Sequence, residues 1–216
     1  VDTALLVKAL GALFAIMNPF VNLPIFLSLT AGQDAARQRR TAWRTVLMAT
    51  VTCAVVAVAG SALLSFFGIS VADFRVAGGL VLLMIGLGML NGTGSTAHEG
   101  TDSEKAHAQA HAERSDVAFY PMTFPILVGP GTMTTIIVLV AEGGDSGAGG
   151  LLAVGIALAL VLACLGIVLP FAGAIGHHMS MTLRTIMTRL MGMVLAAIAV
   201  GMLGAGLTTL LPGLAH

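Results

Sequence analysis

Two short stretches of this chain place polar, uncharged side chains beside paired prolines inside otherwise apolar runs. The first reads Asn18-Pro19-Phe20-Val21-Asn22-Leu23-Pro24, with Ser28 just beyond it. The second reads Phe124-Pro125-Ile126-Leu127-Val128-Gly129-Pro130-Gly131, preceded by Thr123 and followed by Thr132, Thr134 and Thr135. A proline inside a helix removes one amide donor and displaces the carbonyl a turn earlier, so each stretch frees backbone groups that need partners. Amides and hydroxyls there can hydrogen-bond an amino group or, with carbonyl help, coordinate a sodium ion. A half-helix beginning near Gly131 would aim free N–H groups and its positive dipole end at the break, which suits a carboxylate. Gly129 and Gly131 let that backbone come close. Asn18, Asn22, Gly129, Gly131, Thr132, Thr134 and Thr135 are therefore the candidate substrate-binding residues, shaped by Pro19, Pro24, Pro125 and Pro130. The competing reading is that Asn18 and the threonines only satisfy backbone freed by the prolines.

This is chemistry of binding rather than of catalysis. No hydrolase triad can be assembled within an apolar run. The glycines at 78, 79, 86 and 88 lack the Gly-Lys-Ser/Thr ending of a phosphate loop and read as helix-packing positions. His98, His107 and His111 have no cysteine nearby and lie in an Ala-rich segment, so a solvated connector fits better than a metal site. His177 and His178, beside Arg184, read as a wet loop. No cofactor is implied; a coupling ion, sodium or proton, is compatible with the pattern.

The elements that hold the breaks follow from composition. The 216 residues are 57% hydrophobic and 9% charged, with a mean hydropathy of +0.98, against about 25% charged in a soluble domain. Net charge is zero and no aromatic-plus-basic strip appears, which argues against a nucleic-acid partner. Apolar runs of about bilayer length fall at residues 4–30, 45–67, 74–91, 117–141, 150–171 and 188–211. They predict an all-α polytopic membrane protein of about six transmembrane helices, the first and fourth broken by their prolines. Residues 1–9 show no basic leader and no cleavage site, so the first run is expected to stay in the mature protein. Cys53 and Cys164 fall inside separate apolar runs and read as small buried residues.

Eight of the ten basic residues, Arg37, Arg39, Arg40, Arg44, Lys105, Arg114, Arg184 and Arg189, fall on one side of a six-span layout. The positive-inside rule makes that side cytoplasmic, with both termini outside and Trp43 as an interfacial anchor. No acidic residue lies near the middle of a span. Asp73 and Glu142 sit at span edges, and Lys8 is expected to snorkel outward. A midplane carboxylate relay is thus missing, and a small neutral or zwitterionic solute fits what remains.

Both breaks read Pro, four residues, Pro, and Arg75-Val76-Ala77-Gly78 matches Arg189-Leu190-Met191-Gly192 as Arg-x-x-Gly; the offsets are 106 and 114 residues. With an odd number of spans per half, the halves at 1–91 and 117–216, joined by a connector at 92–116, are expected to be a 3+3 inverted repeat. Paired broken helices in such repeats point to a midplane binding site. The alternative is a non-transporting scaffold or regulator whose breaks are packed shut. Monomer and homo-oligomer both stay open.

The motif at residues 17–26, Phe74-Arg75-Val76-Ala77-Gly78-Gly79, the run Pro125 to Thr135, and Arg189-Leu190-Met191-Gly192 resemble the MarC family of bacterial inner-membrane proteins, grouped with the LysE-type exporters. The resemblance covers essentially the whole chain, although Val21 stands where that family usually has Gly. It implies a six-helix inner-membrane protein, some of whose relatives are transporters of small neutral amino acids.

Overall fold

The computed structural model describes residues 1–91, 117–211 and 213. Nine helices carry these residues: α1 Thr3–Met17, α2 Pro19–Leu29, α3 Ala35–Phe66, α4 Val71–Asn91, α5 Ala118–Leu127, α6 Pro130–Asp145, α7 Ala148–Val168, α8 Ala172–His178 and α9 Met181–Leu210. The described residues contain no strand. The stretch Thr3–Leu29, taken across its break, and helices α3, α4, α7 and α9 are each long and apolar enough to cross a bilayer. Helices α5 and α6 qualify together, bent by 60°. The predicted connector, with His98, His107, His111, Lys105 and Arg114, lies outside the described residues.

Two spans begin earlier than the hydropathy pattern predicts. Asp34 caps α3 by accepting from the Arg37 amide at 2.8 Å, and Ser180 caps α9 by accepting from the Leu183 amide at 3.1 Å. The basic residues Arg37, Arg39, Arg40, Arg44 and Arg184 are therefore helical rather than in gaps between helices. At 32 residues, α3 is about 48 Å long against a hydrocarbon core of about 30 Å. Its cationic first turns can thus stand in water. His177 and His178 close the short helix α8 instead of lying in a loop.

The ends of the helices sort onto two faces. The Asp2 amide donates to the Gly149 carbonyl at 3.2 Å, and Lys8 pairs with Glu142. The N-terminus and the α6–α7 turn therefore share one face, while the Thr123 hydroxyl in α5 donates at 3.3 Å to the Thr45 carbonyl beside Arg44 at the other end of the bundle, so α5 with α6 reads as a single bent crossing. On the opposite face Arg39 stacks over the Phe171 ring at 5.4 Å, and Arg184 Nη2 donates to the Gly176 carbonyl at 3.1 Å. Among the described residues, six arginines belong to this second face and only Lys8 and Arg75 to the first.

Helix α1 packs against α7, α3 packs against α5 and α6, and α4 packs along α9. Helices α4 and α9 meet through glycine. A Cβ at Gly86 would lie 2.9 Å from both the Ala196 amide nitrogen and the Gly192 carbonyl oxygen. Side chains such as Val51, Val58, Leu80, Met84, Leu160 and Val200 point outward, as a lipid-facing surface requires.

The Gly86 crossing predicts that Gly86→Ala, which meets rigid backbone, lowers stability by about 1–3 kcal/mol. Gly204→Ala, with nothing within 4 Å, should leave the thermal midpoint in detergent unchanged or slightly raised.

Candidate functional site

At the first break the chain leaves α1 at Asn18, the only described non-glycine residue with a positive φ, at 25°. Its amide nitrogen donates to the Phe14 carbonyl at 2.9 Å, and its Oδ1 accepts from the Val21 amide at 3.2 Å. Asn18 thus finishes one helix and caps the next, while Pro19 takes the first helical position, where a missing N–H costs nothing. Asn22 Nδ2 donates to the Met17 carbonyl at 2.7 Å. Both asparagines are buried. The Asn18 Nδ2 has no hydrogen-bond partner.

The second break is longer. Tyr120 and Phe124 are extended, each immediately before a proline, because the proline ring excludes helical angles from the preceding residue. Backbone bonds here span five residues, as from the Val128 amide to the Thr123 carbonyl at 2.8 Å. Gly129 then caps α6 with Pro130 at the first helical position, as Pro19 is in α2. A Cβ at Gly129 would meet the Pro125 carbonyl at 2.4 Å, so only glycine fits there. No side chain caps α6, and its first turn is buried at Gly131 and Thr132.

Every threonine at this break gives its proton to a backbone carbonyl. Thr123 donates to Ala118 at 2.7 Å, Thr132 to Leu127 at 2.9 Å, Thr134 to Pro130 at 2.9 Å and Thr135 to Gly131 at 2.8 Å. In this conformation the hydroxyls act as backbone partners and keep only their lone pairs for anything else. The two breaks are neighbours, because Ile16, two residues before Asn18, lies against Gly131 together with Leu82 and Ile85. These three side chains cover the start of α6 with apolar surface.

A cavity of about 210 Å³ opens on the face bearing the N-terminus, lined by Lys8, Ala12, Arg75, Thr135, Glu142 and Met202 among others. Of the predicted binding residues only Thr135 lines it; Asn18, Asn22, Gly129, Gly131, Thr132 and Thr134 do not. Lys8 does not snorkel free. Its Nζ donates to both Glu142 carboxylate oxygens, at 2.6 and 2.8 Å, and ties α1 to α6. The sequence reading missed Lys8, Arg75 and Glu142 as lining residues. Arg75 carried a signal in its repeated motif, and Lys8 is the lone charge of its apolar run.

Residues 3–211 match the MarC family of integral membrane proteins. The chain belongs to that family. Among its MarC relatives, the UPF0056 membrane protein YvbG of Bacillus subtilis is 36% identical over 201 residues, covering 93% of each chain. A UPF0056 membrane protein of Methanocaldococcus jannaschii is 33% identical over 95% of this chain and 97% of its own. The UPF0056 membrane protein YhcE of Escherichia coli is 28% identical over 94% and 91%. No solved structure matches the chain.

The double duty of Asn18 predicts a graded response. Asn18→Ala removes the α2 cap, at about 1 kcal/mol, and sets a Cβ at positive φ without a polar side chain, at about 1 kcal/mol more. Asn18→Gly keeps the backbone freedom and should cost only a few tenths of a kcal/mol. Thermal unfolding of the two variants in detergent checks this order.

Proposed function

We propose that this MarC protein is a secondary transporter or exporter of a small neutral or zwitterionic solute, with small neutral amino acids as the fitting class, working by alternating access at its two broken spans. The observation that carries the reading is the buried, side-chain-uncapped start of α6, set beside a break where the side-chain Nδ2 of Asn18 lacks a partner. A buried helix N-terminus is a seat for a carboxylate. The lone pairs of Thr132 and Thr135 can accept from an ammonium group.

The packing supports reading residues 1–91 and 117–216 as inverted halves joined by the connector at 92–116. The first span of each half packs on the second span of the other, and the third spans pair across the middle. Two such halves can exchange conformations. We place the arginine-rich face in the cytoplasm of a bacterial cell, with the protein in the inner membrane and both termini outside. In the conformation described, Ile16, Leu82 and Ile85 cover the α6 start at Gly131, and transport requires them to part. Sodium or proton coupling is compatible with the uncharged breaks. The scaffold reading draws on one observation, that the threonine hydroxyls are satisfied internally.

Flux of labelled glycine, alanine and serine in liposomes, with and without sodium and pH gradients, decides between these readings. Saturable flux is expected, lowered about tenfold or more in Thr132→Val, which loses a buried hydroxyl, and retained in Thr132→Ser. Thr52→Val on the flank of α3 should transport normally. Absence of flux for all three solutes under every gradient would favour the scaffold.

A further inference from the structure

The Arg-x-x-Gly motif at 75–78 lies outside the proline breaks themselves, yet the fold gives it a definite setting. A Cβ at Gly78 would lie 1.7 Å from Thr134 Cγ2, so α6 docks directly onto α4 one turn from Arg75. That contact sets Arg75 in the same cavity wall as Thr135 and Glu142. The Arg75 Nε is buried and unpartnered. Neighbouring acids are committed elsewhere. Glu142 is held by Lys8 at 2.6 and 2.8 Å, and Asp73 accepts from the Ser70 amide at 3.2 Å. Helix α9 lines the cavity with Ile198, Gly201, Met202 and Ala205 and adds no charge. Of the three charges that the described residues bring to the cavity, two cancel and one guanidinium is left over.

A guanidinium held partly out of water without a counter-charge is costly, and its planar fork matches an oxyanion with two parallel hydrogen bonds. From this leftover charge we infer that the cavity between α1, α4, α6 and α9 is a binding site for the carboxylate of a small solute, with Arg75 as the donor fork. Its volume of about 210 Å³ falls below the roughly 300–1,000 Å³ of drug-sized sites and suits a solute of a few heavy atoms. The site shares only Thr135 with the second break and rests on the transporter reading only for the choice of solute.

The test is binding of labelled alanine to the purified full chain in nonionic detergent, with no gradient present. Saturable binding is expected, displaced by propionate but not by ethylamine. Arg75→Gln should weaken it about tenfold or more, as loss of a charge-assisted pair does, and Arg40→Gln, outside the cavity, should not. Arg75→Lys keeps the charge but loses the fork, so weaker binding is expected there too, which keeps the test open if Arg75→Gln fails to fold. No saturable binding, or equal binding in both Arg75 variants and the parent, would overturn the site. Displacement of alanine by phosphatidylglycerol but not phosphatidylcholine would assign the fork to a lipid phosphate and overturn the solute assignment. Because binding is read without flux, Arg75-dependent alanine binding by a protein that moves nothing would uphold this site while removing the transporter reading.

Discussion

A backbone group inside hydrocarbon has no water to turn to, and this chain places seven prolines in a protein that must satisfy that condition. Five of them sit at two neighbouring breaks, and the surrounding side chains are chosen accordingly. Asn18 and Asn22 close α1 and open α2, while Thr123, Thr132, Thr134 and Thr135 take up carbonyls along the second break. Glycine at 129 leaves room for the Pro125 carbonyl. The unbroken helices then supply the rigid frame, with α4 and α9 drawn together at Gly86 and Gly192.

That frame has two dissimilar ends. One face collects arginines on α3 and α9 and clamps α8 through Arg39 over Phe171 and Arg184 on the Gly176 carbonyl. The other carries a cavity lined by Lys8 and Glu142, a pair that joins the two broken spans themselves. Movement of α1 relative to α6 must therefore stretch or break this pair. Exposed as it is, the pair adds little stability, so it can open at low cost. The MarC fold thus combines a stiff central crossing with a weakly latched outer contact between its broken elements.

Much of this architecture is legible in the sequence, because apolar runs between polar gaps report directly on burial in lipid. The start of α6 at Pro130, behind a glycine cap, also follows from the Gly-Pro-Gly run. Other features depend on contacts that no local window contains. Helices α3 and α9 extend into basic segments because Asp34 and Ser180 cap them, whereas hydropathy registers only their apolar parts. The spacing of prolines pairs Pro19 with Pro125, yet Pro19 and Pro130 are the two that open helices. The charged cavity was invisible for a simpler reason, since Lys8 and Glu142 are 134 residues apart and each alone looks like a span-edge residue.

The central claim is that the start of α6 is a water-reachable site which Ile16, Leu82 and Ile85 shut in one conformation and release in another. The most direct test is alkylation by a membrane-impermeant maleimide, applied to each face in turn with and without alanine, of Thr135→Cys and Thr132→Cys variants lacking Cys53 and Cys164. The account predicts rapid labelling of Thr135→Cys from the face of Lys8. It predicts slow labelling of Thr132→Cys that is reachable from both faces and changes in rate with alanine. A Thr132→Cys that stays unreactive from either face, with or without solute, in a protein whose Thr135→Cys labels normally, would contradict it.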